Sequence, residues 1–313
     1  MPDVTVAIPT FGRADFVDGL LGDLAKQTLR PRRVLLVDDT PGPAIERLAT
    51  AWADRLPVEH LRPQGRRSVA RARDLALRSC TTPVLVFLDS DMRVPPAYLA
   101  HVSEVLASTD AAAVGAFIAR PPNPGGWRRI LLRLFLQELR TGDRPRFKAP
   151  FRNLQPIERP AGAVPAEWLQ GSNVALRLDR IGAAAYDVGL EGYALGEDVD
   201  FSLALRAQGA KLLFTGGVVI EERHHAEGRP NDEDLALMRL VNWPRILHRR
   251  GYRRWWTGPL LAWQDLGYTL KMNRGRRLPG ALAAHVRRRS RLRRAGGRRD
   301  LARVNRLYAF WDD

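Results

Sequence analysis

The chain has 313 residues, 45% of them hydrophobic, with 26 Gly and 22 Pro; this is a globular composition with room for one large domain or a catalytic domain and an extension. Its 50 Lys+Arg against 34 Asp+Glu leave a formal charge of +16, and only four of the basic residues are lysines. A single cysteine, Cys80, excludes a disulfide framework and any cysteine-only metal cluster, and fits a reducing compartment.

A surface this basic attracts nucleic acid, anionic lipid or phosphorylated ligands. Met1–Val6 lacks a basic and then apolar leader pattern, and no apolar run approaches about twenty residues. The expectation is a cytoplasmic chain without a transmembrane helix. Val4–Pro9 reads as a first strand, ended by Pro9 and the loop Thr10-Phe11-Gly12-Arg13. Helical apolar spacing follows over Ala14–Gln27, then a buried strand Arg33–Val37 that ends in Asp38 and Asp39. Ile45–Leu56 is predicted helical, Val58–Leu61 a third strand and Ser68–Ser79 a third helix. That helix feeds Val84–Leu88, an apolar run that stops at Asp89-Ser90-Asp91. The rhythm predicts an α/β fold, a mostly parallel sheet with helices on both faces. Ligands of such sheets bind at the carboxyl ends of strands. Two hard oxygen donors there suit Mg2+ or Mn2+ holding a diphosphate. No Gly-x-Gly-x-x-Gly follows the first strand, which argues against a nicotinamide-dinucleotide domain.

Further along, Pro95–Ser108 reads as a helix and Ala112–Ala119 as a strand, before the breaker Pro121–Gly126. Trp127–Arg140 alternates apolar residues with arginines, which fits a membrane interface or an amphipathic helix packed on the domain. Thr141–Pro165, rich in Pro and Arg, is expected to form a mobile loop. Leu212–Ile220 is strand-like, and from about Asp234 the chain reads as helices with Trp243, Tyr252, Trp255 and Trp263 among arginines. The expected division is a catalytic domain over residues 1–233 and a basic, aromatic-rich helical extension over 234–313.

Three segments gather at the strand ends beside Asp89 and Asp91: Ile8–Arg13, Val37–Thr40 and Gly65–Asp74. A carboxylate there can accept from a base N–H, while arginines and helix N–H groups hold phosphate. Two more follow, Trp168-Leu169-Gln170-Gly171-Ser172-Asn173 and Gly196-Glu197-Asp198-Val199-Asp200, the latter opening an amphipathic helix that carries Arg206. In order and spacing, about residues 3–226 resemble the GT-A-fold glycosyltransferases, most closely the large inverting family 2. Ala72-Arg73-Asp74 stands where that family has Ala-Arg-Asn.

The resemblance implies a GT-A (Rossmann-like) fold and transfer of a sugar from a nucleoside diphosphate-sugar, with UDP or dTDP ahead of GDP, to a hydroxyl acceptor. It implies nucleotide contacts from Pro9, Thr10, Phe11, Arg13, Asp39, Arg66, Arg73 and Asp89. Asp91 would bind Mn2+ or Mg2+, supported by Asp89 and by His224 or His225. Asp198 would be the general base, within the catalytic pair Glu197-Asp198. Trp168, Gln170, Gly171, Ser172 and Asn173 would face the acceptor and sugar. The acceptor implied is a lipid-linked or cell-surface glycan, with a small natural product or a peptide as the alternative. The Arg-rich helices add an expectation of peripheral attachment to an anionic inner membrane face. A nucleotidyltransferase would more naturally carry a Gly-rich, Lys-bearing phosphate loop after the first strand. A non-catalytic nucleic-acid-binding protein would explain the charge but not the buried strands that each end in Asp.

Overall fold

Val84–Leu88 is buried at every position, as a strand can be only when helices cover both faces of its sheet. The computed structural model describes residues 1–120, 127–136, 142–148, 152–223, 230–252 and 255–272, with residues 283, 286, 287 and 290. The first part alternates as expected: β1 (Val4–Thr10), α1 (Ala14–Leu24), β2 (Arg33–Asp38), α2 (Ala44–Trp52), β3 (Val58–Leu61), α3 (Val69–Ser79) and β4 (Val84–Leu88). There follow β5 (Met92–Arg93), α4 (Tyr98–Ala107), β6 (Ala113–Ala119) and α5 (Trp127–Leu134). The remaining elements are β7 (Arg146–Lys148), β8 (Arg152–Leu154), β9 (Ala163–Pro165), β10 (Asn173–Arg177), α6 (Glu197–Ala207), β11 (Leu212–Glu222), α7 (Asp232–Arg249) and α8 (Thr257–Met272).

The main sheet runs β3-β2-β1-β4-β10-β6-β11-β5, with β9 also paired to β11. Strands β1 to β4 are mutually parallel, β6 and β11 run parallel to each other, and β10 is inserted antiparallel between β4 and β6. That insertion positions the site. Because β10 runs backwards, its first residue Asn173 lies opposite Leu88, at the carboxyl end of β4. Alternate residues feed opposite faces: Leu35, Val37, Leu85 and Phe87 enter one core, while Val34, Leu36, Val84 and Val86 enter the other.

Two expectations change. Thr141 lies outside the described residues, but most of the segment expected to be a mobile loop is built into the fold. β7 pairs with β8, and β9 joins the main sheet. Nor does packing break at residue 233: Trp243, Ile246 and Leu247 of α7 and Leu261 of α8 lie in the same core as Phe87 and Leu85. Arg250 holds buried Asp200 at two points, 2.7 and 2.8 Å, and Arg245 holds Asp187 at 2.6 and 2.8 Å. Arg245 and Arg249 pull the Asp187 carboxyl down to about 2 against the opposing effect of its burial. α8 in turn touches the end of α5: Trp263 Nε1 donates to the Leu134 carbonyl at 2.8 Å, and its ring stacks on Phe135. Ile130, Leu131 and Leu134 of α5 are exposed. No helix among the described residues is long and apolar enough to cross a membrane.

Candidate active site

The carboxyl ends of β1, β2 and β4, the start of β10 and the N-terminus of α6 enclose a cleft of about 280 Å³. Pro9, Thr10, Phe11 and Arg13 reach it from the first strand end, and Asp39 from the second. The Arg67 guanidinium lies 3.4 Å over the Phe11 ring centre. Asp39 Oδ2 accepts the Ser68 backbone N–H at 3.3 Å, and its pKa is raised, chiefly by burial. Ser68 is the N-cap of α3, accepting the Arg71 N–H at 3.2 Å. Asp38 is structural: it accepts from Thr40 N–H at 2.7 Å and meets His60 Nε2 at 3.0 Å. Of the two adjacent arginines, Arg67 lines the cleft, while Arg66 pairs with Glu191 at 3.2 Å on the exposed side.

Asp89 and Asp91 follow β4. Arg73 Nη2 donates to Asp89 Oδ1 at 2.7 Å, and Arg13 Nη1 meets Asp91 Oδ2 at 3.3 Å. Glu222, at the end of β11, joins the cleft wall and is held by Arg120 at 2.9 Å. It was not anticipated, although the signal resembles the one at Asp89: an acid close behind an apolar run, here the second residue after Ile220. His224 and His225 lie outside the described residues, among which no three His, Cys, Asp or Glu side chains converge on one metal-binding point. Asp89 and Asp91 nonetheless fit Mg2+ or Mn2+. Such ions are commonly held by one or two carboxylates together with waters and substrate phosphate oxygens.

The far wall begins at Gly196, whose φ of 92° lets the chain turn into α6. Glu197, Asp198 and Asp200 fill the first turn, where the helix dipole favours negative charge. Asp198 Oδ1 accepts the Val199 N–H at 2.8 Å and Oδ2 the Gly171 N–H at 3.4 Å. Burial raises its pKa, against the opposing effect of Arg73. Glu197 is pushed up to about 8, again chiefly by burial, and its Oε2 has no hydrogen-bond partner. Arg73 is the hinge of the site. Burial opposes its charge, but Glu197 at 3.1 Å and Asp89 outweigh that, and its pKa is raised. A Cβ at Gly171 would overlap Arg73 Nη1, so a larger residue there would push the guanidinium out of its place beside Glu197.

The motif expected to face the acceptor divides. Gln170 faces the cleft and accepts from Arg120 Nη2 at 2.9 Å; Ser172 also lines it, and its buried hydroxyl has no protein partner. Trp168 stands behind the cleft wall, 1% exposed and with Nε1 donating to the Leu154 carbonyl at 3.2 Å, so most of its face is packed in the core. Asn173 is likewise structural: its amide clasps Ala116, accepting from N–H at 2.7 Å and donating to C=O at 3.2 Å.

The fold and the cleft at its strand ends define a GT-A architecture. Residues 5–158 match the family model described as glycosyl transferase family 2. The validoxylamine A glucosyltransferase of Streptomyces hygroscopicus subsp. jinggangensis is 29% identical over 252 residues, covering 76% of this chain and 59% of the relative. The chain thus spans well under two thirds of that relative's length. Among solved structures, the mannosyltransferase PcManGT from Pyrobaculum calidifontis, in complex with GDP-Man and Mn2+, aligns with a TM-score of 0.53 at 20% identity. That alignment covers 98% of this chain and 78% of the other. Glucosyl-3-phosphoglycerate synthase from Mycobacterium tuberculosis, with Mn2+, UDP and glucosyl-3-phosphoglycerate, aligns at 0.52 and 16% identity, over 81% and 82% of the two chains.

Proposed function

We propose that the chain transfers a sugar from a nucleoside diphosphate-sugar to a hydroxyl acceptor in a single displacement that inverts the anomeric carbon. The observation that carries this reading is Arg73, one buried cation joining the donor-side acid Asp89 to the acceptor-side acid Glu197, next to Asp198. Asp39 accepts the base N–H, with Phe11 and Arg67 beside it. Asp91 and Asp89 would hold Mn2+ or Mg2+, and the ion would supply positive charge for the diphosphate leaving group. Asp198 takes the acceptor proton as the hydroxyl oxygen attacks, and no enzyme nucleophile is required. Gln170 and Ser172 offer hydrogen bonds to sugar or acceptor hydroxyls.

Two acceptor classes compete. A lipid-linked or cell-surface glycan suits the exposed Ile130, Leu131 and Leu134 beside Arg133, a face fit for an anionic membrane. A small natural product is the alternative, in keeping with the relative named for validoxylamine A. The test is a thermal-shift screen of the chain against UDP, dTDP, GDP and their sugars with and without Mn2+, followed by NMR of the product's anomeric configuration. A metal-dependent shift with one nucleotide and an inverted product support the reading. A folded sample with no shift for any nucleotide refutes it, and a retained configuration refutes the single displacement.

A further inference from the structure

The described arginine–carboxylate pairs are finished to different standards. Arg250–Asp200 and Arg245–Asp187 are two-point pairs at 2.6–2.8 Å. Arg13 meets Asp91 through Nη1 alone, at 3.3 Å, and its buried Nε has no hydrogen-bond partner. Its backbone is left-handed, φ 59° and ψ 44°, a conformation that a residue with a Cβ adopts only at an energetic cost. Its carbonyl starts α1, accepting the Phe16 and Val17 N–H groups at 3.0 and 3.1 Å, but its side chain makes no cap hydrogen bond and is left for the cleft. The turn is held instead by the Gly12 N–H, which donates to Thr40 Oγ1 at 2.7 Å. A strained residue with a weak contact and an unsatisfied donor is suited to exchanging partners.

Asp91 requires a counter-charge, because its side chain is only 8% exposed. A guanidinium and a divalent cation are alternatives for the same oxygen, Oδ2. We propose that Arg13 is the exchangeable counter-cation of Asp91: it yields Oδ2 to a divalent cation and turns its planar fork to the donor diphosphate in the same cleft. This rests on the cleft being a nucleoside-diphosphate site and adds a coupling to it. Arg13 opposes metal binding before the donor arrives and favours the donor once metal is bound.

The experiment measures two affinities on the full chain: Mn2+ alone, by EPR of the free ion, and nucleoside diphosphate in saturating Mn2+, by calorimetry. R13Q is expected to bind Mn2+ several-fold more tightly than wild type and nucleoside diphosphate about tenfold more weakly. R13G should move both in the same directions while relieving the left-handed strain, which covers the case in which R13Q folds poorly. Weaker Mn2+ binding by both variants would overturn the proposal, since Arg13 would then merely order Asp91. Unchanged affinities in both variants would overturn it too. Sugar transfer by wild type that ignores chelators, with no Mn2+ bound, defeats the exchange but leaves the transferase reading standing. Failure of wild type to bind any nucleotide defeats both.

Discussion

On the donor side of the cleft, Asp39 and Asp89 follow directly from the ends of β2 and β4, and the acids after each apolar strand face the ligand space or its rim. On the acceptor side, residues 168–173 arrive with the antiparallel strand β10, threaded between β4 and β6. There one short motif buries Asn173 and most of Trp168 in the interior and brings Gln170 and Ser172 to the cleft. Place along a strand therefore predicts role on the first side, whereas on the second the same kind of reading mixes packing with chemistry.

Asp198 gives the sharpest break between the halves. D198N should lower kcat by about 10³-fold and leave the nucleotide-induced thermal shift intact, removing acceptor chemistry from an undisturbed donor half. With the Asp198 pKa raised, the acid limb of kcat/KM against pH in wild type should lie above the ordinary carboxylate range, because the base must be ionised. R250M tests what supports the acceptor half. It leaves Asp200 buried and unpaired, and urea unfolding should report a loss of about 3–5 kcal/mol, partly recovered in D200N/R250M.

N173A should cost about 1–3 kcal/mol by orphaning both Ala116 backbone groups, with kcat of the folded enzyme nearly unchanged; a large kcat loss without destabilisation would return Asn173 to the acceptor. A subtler effect concerns Glu197, pushed up to about 8 by burial from an ordinary 4.5. Between those limits the folded chain holds a proton that the unfolded chain has released, so stability falls as pH rises through the window and levels off above it. Melting temperatures of E197Q should show a flatter pH slope than wild type. The smallest effect is expected on the donor side: R66A removes an exposed pair worth about 0–1 kcal/mol and should keep the nucleotide shift that R67A loses.

The donor half was legible because buried parallel strands are apolar throughout, so the acid that ends each one stands out. Asp39, Asp89, Asp91 and Asp198 were read in this way or from their place in the resemblance, and all four line the cleft. What composition hides is partnership. Nothing local distinguishes Arg66 from Arg67, or tells that the Trp168 indole would find the Leu154 carbonyl fourteen residues away. Arg250 is one arginine in a basic run, and only the fold reveals that it neutralises Asp200. The stretch expected to be a loop became strands because β9 completes the edge of β11, a pairing set by a distant segment.

The latch between α6 and α7 also sets a timetable. Asp200 waits 50 residues for Arg250, and Asp187 waits 58 for Arg245. On a ribosome adding about 5–20 residues per second, that is an interval of roughly 3–10 s. Throughout it, the half-made protein carries two acids bound for the interior and still without their counter-charges. When the interval opens, Glu222 and Trp243 are the cleft residues still to be made, and the wall that carries Asp198 can close only when the end of α7 emerges. A nascent chain halted before Arg245 should therefore stay protease-sensitive around α6, and one released past Arg250 should not.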